Sequence, residues 1–261
     1  VITAKPVLEG RWASQVTLSP GLFIDKLTVR FKSELPLFFK TRDPGRLALV
    51  RQKDKFNIEV TNKKSLPGWV HAEKDPYFHP QRFTDVVVST HSDWQEYFAL
   101  LNRDVDVVLS QPLPKAMQLW VTGAKGEKDQ KAQIRYLMER MSADYRYFGD
   151  WRRHEGGVVP RTLAEIGKSR FGDCKDLSAM LVAMLRALGI EAYPALVRRG
   201  ENPWGEEPAY DLPNLNEFNH AIVQAKVAGA VFWLDPTNPV ASLEPFSDIA
   251  GRPAWILNSK N

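Results

Sequence analysis

The chain is poor in cysteine: Cys174 is the only one among 261 residues. A single thiol excludes an intramolecular disulfide framework and any zinc site built from several cysteines. There is no run of about 18 apolar residues, the length a spanning helix needs. The nearest stretch, LSAMLVAMLRALGIEAYPALV, is broken by Arg186 and Glu191. There is also no basic run: 35 Lys+Arg stand against 31 Asp+Glu, with the two signs interleaved along the chain. Nucleic-acid proteins concentrate their cations on one face or segment, so no nucleic-acid partner is expected. Internal repeats and low-complexity segments are missing as well. The first residue is Val1 rather than Met, consistent with a removed initiator or export signal.

What is present is an ordinary globular composition, 44% hydrophobic and 25% charged, with a change of texture along the chain. From Trp12 to Thr90 the runs WASQVTL, FIDKLTVRFK, LALVR, FNIEVT and FTDVVVST are short, alternating or β-branched, and separated by Pro, Gly and Asn/Asp turns. They predict an antiparallel β-sandwich whose core takes Phe23, Leu27, Val29, Phe31 and Ile58. Ser92 and Gln95 then stand at capping-box spacing before Trp94, Tyr97, Phe98 and Leu101, a helical stripe. After QPLP at 111 to 114 a second helix is expected, carrying Ile134, Leu137, Met138, Met141 and Tyr145 on one face. Thr162 and Glu165 cap a short third helix. Beyond Pro160 helix alternates with strand. The expected division is a β-sandwich with a trailing helix over residues 1–112 and a second, α+β domain over 113–261.

The lone cysteine lies in RFGDCKDLSAML, residues 170 to 181. Cys174, Leu177, Ser178, Leu181, Met184, Leu185 and Leu188 share one helical face, and Gly189 stands where a C-terminal stop belongs. Asp173 is placed as N-cap, with Asp176 three residues on in a box-like arrangement. The sulfur is therefore expected at a helix start, where free N–H groups favour an anion. The N–H of Cys174 itself could donate to an oxyanion. On composition alone a lone cysteine opening an apolar stripe is an ordinary small core residue. Two downstream segments argue for more.

FNHAIVQA, from Phe218, and VFWLDPT, from Val231, read as two strands of a hairpin. A two-residue turn at Ala228-Gly229 pairs Val227 with Ala230 and sets Asp235 opposite Ile222. His220 and Asp235 then share a face as diagonal neighbours; a three-residue turn without a bulge would separate them. Each residue alone has a plain structural explanation, a strand histidine bonded to backbone and a turn-forming aspartate before Pro236. Together they form the base and orienting acid of a nucleophilic triad whose third member is a thiol at a helix start.

These residues carry a resemblance. The string from Tyr145 to Val197 containing GDCKD, followed by FNHAIV and WLDPT, resembles the core of the bacterial transglutaminase-like superfamily, relatives of papain-fold cysteine enzymes, over roughly residues 130 to 240. The resemblance implies helices packed on an antiparallel sheet, Cys174 as nucleophile, His220 as base and Asp235 as its partner. It also implies a peptide or protein substrate and no cofactor or metal. VVVSTHSDWQEYFALL resembles the end of the uncharacterised β-rich domain preceding such cores in exported bacterial proteins, so an exported, periplasmic protein is expected. Relatives complete the oxyanion hole with a side-chain donor, for which Trp151 is the candidate here. The implied chemistry is thioester formation followed by transfer to water or to an amine, with hydrolysis favoured because water needs no second binding site. The alternative is an inactive scaffold that keeps the fold. His71, His79 and His154 read as surface residues, and residues 198 to 210 read as a loop between the cysteine and histidine elements.

Overall fold

The structure is a computed structural model that describes residues 8–18, 23–43, 46–66, 84–149, 157–200, 212–238, 243 and 249–259. The chain divides into two compact units: Val1–Tyr97 with Glu201–Glu217, and Phe98–Gly200 with Phe218–Asn261. The architecture is mixed α and β with antiparallel sheets, as the periodicities predict.

The first unit holds β1 (Ala13–Thr17), β2 (Thr28–Lys32), β3 (Phe38–Arg42), β4 (Ala48–Asp54), β5 (Asn57–Asn62) and β6 (Asp85–Ser89). They form two three-stranded antiparallel sheets, ordered β1-β6-β3 and β2-β5-β4. Residues two apart point to the same side of a strand. Val86 and Val88 of one sheet and Ile58 and Val60 of the other are thus buried in one cluster, which also takes Val16, Leu18, Leu37, Ala48 and Leu66. Two sheets sharing one core make a sandwich. Leu27, Val29 and Phe31 pack against that cluster. Phe23 does not: it is 67% exposed, because it precedes the first paired residues of β2 and no strand pleat turns it inward. Strand β3 is the element that the apolar pattern missed, since FFKTR carries two charges in five residues; besides its backbone ladder with β6, its Arg42 donates to the Asp85 carboxylate of β6 at 2.8 Å.

Helix α1 (Trp94–Leu109) follows. Its cap is Asp93, whose carboxylate accepts the Glu96 N–H at 2.8 Å, so the capping arrangement sits one residue later than the expected Ser92 and Gln95. The single helix expected after QPLP is two, α2 (Lys115–Ala124) and α3 (Gln130–Asp144), the second capped by Asp129. Ile134, Leu137, Met138 and Met141 are its buried stripe, with Tyr145 as C-cap. Next come β7 (Arg146–Tyr147), α4 (Leu163–Ser169), β8 (Phe171–Gly172), α5 (Cys174–Ala187), β9 (Glu191–Val197), β10 (His220–Val227), β11 (Ala230–Leu234) and β12 (Ala254–Ile256). Thr162 and Glu165 cap α4 reciprocally, as their spacing predicts.

The last four strands form one antiparallel sheet, ordered β11-β10-β9-β12. Helix α5 lies against β9 and β10 and is buried on every side from Asp176 to Leu185. It ends where Gly189, at φ +76°, lets Ile190 N–H reach the Leu185 carbonyl and Gly189 N–H the Arg186 carbonyl, both at 3.0 Å. That left-handed stop satisfies carbonyls that would otherwise be orphaned in the core.

The sandwich core makes a simple contrast. Ile58→Ala should lower the unfolding free energy by about 2–5 kcal/mol, whereas Phe23→Ala should stay within about 0.5 kcal/mol, both read by urea titration. Equal losses at the two positions would contradict the division between core and surface described above.

Candidate active site

Each residue of GDCKD has a distinct physical task. Gly172 lies so close to α5 that a Cβ there would stand 2.8 Å from the Asp176 Cβ, so a side chain would push the strand off the helix. Asp173 is the N-cap, its Oδ1 accepting the Asp176 N–H at 3.2 Å while Lys175 pairs with Oδ2. Cys174, partly exposed, is the first residue of the helix.

Asp176 departs from the expected box. Its side chain turns away from the cap and accepts from Arg161 twice, the backbone N–H at 2.9 Å and Nε at 2.8 Å. Arg161 in turn donates to the Phe171 carbonyl at 2.6 Å and lies over the Phe171 ring at 4.7 Å. The first turn of α5 and the strand leading into it are thereby fixed to one guanidinium. Composition gave no sign of this, because Arg161 is one of 35 cations in the chain and lies 15 residues from its partner.

The hairpin has the register that a two-residue turn dictates. Val227 pairs with Ala230 and Val223 with Leu234, and the turn residues Ala228 and Gly229 have φ of +50° and +80°, the signs of a type I′ turn. Consequently His220, at the start of β10, and Asp235, just beyond β11, meet: Nε2 lies 2.9 Å from Oδ2. They are 5% and 2% exposed. The other carboxylate oxygen accepts from Thr237, N–H at 3.0 Å and Oγ1 at 2.7 Å. Arg199 Nη1 stands 3.6 Å from Oδ2. Its backbone is held by Asn219, which accepts from the Arg199 N–H at 2.6 Å and donates to the Arg199 carbonyl at 2.8 Å.

The electrostatics follow from burial against pairing. Burial alone would lower the His220 pKa, but hydrogen bonds to Asp235 and Cys174, and the charges of both, raise it to about 9. The imidazolium therefore persists through neutral pH. With Nε2 engaged by the carboxylate, Nδ1 is the ring nitrogen left for the thiol. Burial would raise the Asp235 pKa, yet His220 and then Thr237 hold it below its usual value. A raised histidine pKa stabilises the fold in full below the unfolded value near 6.5 and loses that contribution as pH climbs through about 9.

Of the residues singled out in the sequence, Cys174, His220 and Asp235 are brought together. Trp151, His71, His79 and His154 lie outside the described residues, as does nearly all of the loop at 198 to 210. Among the described residues no group of three or more His, Cys, Asp or Glu could hold a metal ion, and no helix is long and apolar enough to cross a membrane. Tyr147, which the sequence reading passed over, sits within electrostatic range of Cys174, Asp173 and Asp235.

The Arg161–Asp176 anchor predicts a specific stability pattern. Asp176→Ala strands a largely buried guanidinium and should cost about 3–5 kcal/mol in urea unfolding, and the double variant Asp176→Leu with Arg161→Met should recover most of it. A loss under about 1 kcal/mol for Asp176→Ala would mean that the ion pair is not what fixes the helix start.

Residues 118–236 match the family model of the transglutaminase-like superfamily. No curated protein matches the sequence. Among solved structures, a protein from Parabacteroides distasonis, provisionally classed as a protease, superposes with a TM-score of 0.63 at 14% identity over 90% of this chain. This chain spans about half, 48%, of that protein's length. At that identity the likeness speaks for the fold alone. A provisionally classed cysteine protease from Cytophaga hutchinsonii (TM-score 0.37, 12% identity, 88% of this chain and 80% of that one) is also similar. So is the periplasmic domain of TgpA from Pseudomonas aeruginosa (TM-score 0.35, 16% identity, 91% and 85%). With a helix-start cysteine, a histidine–aspartate hairpin and this match in one stretch of chain, residues 118–236 are a domain of the transglutaminase-like superfamily.

Proposed function

We propose that Cys174, His220 and Asp235 act as a catalytic triad that opens an amide bond of a peptide or protein through a thioester on Cys174. The observation that carries this reading is the buried His220–Asp235 bond at 2.9 Å, with the one thiol of the chain acting on the same imidazole. A buried histidine held charged by a carboxylate is suited to stabilise a thiolate and then to return a proton to a leaving amine.

The thiolate attacks the carbonyl carbon, forming the C–S bond while the carbonyl π pair moves onto oxygen. Collapse of that intermediate expels the amine, which takes its proton from the His220 imidazolium. Asp235 keeps Nε2 protonated and the ring oriented, leaving Nδ1 to exchange the proton. Water, deprotonated by the now neutral imidazole, then attacks the thioester carbonyl; the C–S bond breaks, the acid is released and the thiolate–imidazolium pair is restored. An amine in place of water would give transamidation by the same steps; hydrolysis is favoured because it needs no second binding site. Location outside the cytoplasm belongs to the same proposal and rests on the resemblance of the upstream segment.

With one cysteine in the chain, intact-mass analysis of iodoacetamide labelling reports Cys174 alone. Labelling should remain fast near pH 6, and His220→Ala should shift it toward the behaviour of an ordinary thiol, near pH 8.5. Asp235→Asn should shift it less, since the carboxylate orients the ring more than it charges the thiol. Labelling of the wild type only above about pH 8, or only after denaturation, would sink the triad and leave an inactive scaffold.

A further inference from the structure

Strands β7 and β8 form a two-residue parallel pair in which Arg146 stands opposite Phe171 and Tyr147 opposite Gly172. The pair is closed by Arg146 N–H to the Arg170 carbonyl at 3.1 Å and Phe148 N–H to the Gly172 carbonyl at 2.9 Å. Residues directly paired project their side chains to the same face. Which face this is can be read from Gly172, since a Cβ built there meets Asp176 and Leu177 of the first turn of α5 at 2.8 and 3.3 Å. Tyr147 therefore leaves β7 on the side of the Cys174 helix start. Its neighbour Phe148 leaves on the other side, where it meets Phe171 edge-on at 5.7 Å between centroids.

Tyr147 is also 50% exposed. A core packing role would cover the ring; here half of it stays open to solvent, on the face of the Cys174 helix start. Burial, then the negative charges of Cys174 and Asp173, raise its pKa, with Arg199 opposing and Asp235 adding, so the phenol stays protonated through neutral pH. A protonated phenolic hydroxyl donates to an oxyanion that forms within its reach. The tetrahedral intermediate supplies one.

We propose that Tyr147 is a further catalytic residue of this site: its phenolic O–H donates to the oxygen of the tetrahedral intermediate, beside the backbone N–H of Cys174. The inference rests on the hydrolytic reading above and assigns the side-chain donor which that reading needs. As Cys174 Sγ bonds to the carbonyl carbon, the π pair becomes a lone pair on oxygen, and the two donors hold that charge until the C–N or C–O bond breaks and the carbonyl reforms. Tyr147 keeps its proton throughout. Donors placed where charge develops act on the transition state and leave the resting enzyme unchanged.

Two reactions of the same thiol separate this role from a structural one. Acylation by p-nitrophenyl acetate passes through an oxyanion and releases p-nitrophenolate, whereas alkylation by iodoacetamide is displacement at a saturated carbon and creates none. Tyr147→Phe should slow the limiting acylation rate about 100- to 1000-fold with little change in the half-saturating ester concentration, and should alter alkylation by less than about twofold. Phe148→Leu, on the opposite face of the same strand, should leave both rates near wild type. If Tyr147→Phe slows both reactions, the tyrosine shapes the thiol or the fold and the proposal fails; if it slows neither, the hydroxyl has no part in the chemistry and the proposal fails. A wild-type protein that alkylates readily but releases no p-nitrophenolate overturns the hydrolytic reading, and this proposal with it.

Discussion

The site depends on one buried contact, the hydrogen bond between His220 and Asp235. A carboxylate that is 2% exposed and an imidazole that is 5% exposed would each be costly to bury alone. They are tolerable together because the carboxylate is saturated: His220 on one oxygen, the two donors of Thr237 on the other. The tolerance runs in one direction, since the charged ring is favoured only while the carboxylate stays charged and in place. The fold accordingly treats Asp235 as a fixed point, with Thr237 two residues on and Arg199, whose backbone is clamped by Asn219, behind it.

A hairpin turn delivers that contact. Two residues of positive φ at Ala228 and Gly229 set the register of β10 against β11, and a one-residue slip would send His220 and Asp235 to opposite faces. Cys174 arrives by an independent route, a helix whose first turn is fixed by the Asp173 cap and by Arg161 on Asp176. Because α5 lies against β9 and β10, the helix start and the hairpin share one frame. Each half of the site is held by a different local device.

Both halves were legible in their local devices. The hairpin was readable because an Ala-Gly turn between alternating strands allows few registers, and the cap and stop of α5 were readable because Asp173 and Gly189 occupy positions with known backbone requirements. The sandwich was visible in the alternation of β5 and in the β-branched run of β6. What escaped was set by contacts distant in sequence. Asp176 fits a capping box by spacing, yet Arg161 outbids the helix for its carboxylate. Phe23 is apolar but falls outside a pleat, and β3 is too charged to announce itself. Tyr147 gave no signal because its relevance lies in a two-residue strand pairing with a segment 25 positions later, Tyr147 to Gly172.

The central claim is electrostatic: the carboxylate and the thiol together keep the buried imidazole charged at neutral pH. Its direct measurement is the titration of the His220 ring by 15N NMR in the folded protein. The account predicts a pKa near 9, with a clear fall in Cys174→Ala and a larger one in Asp235→Asn. A ring that titrates near 6.5 in the wild type and in both variants alike would contradict it.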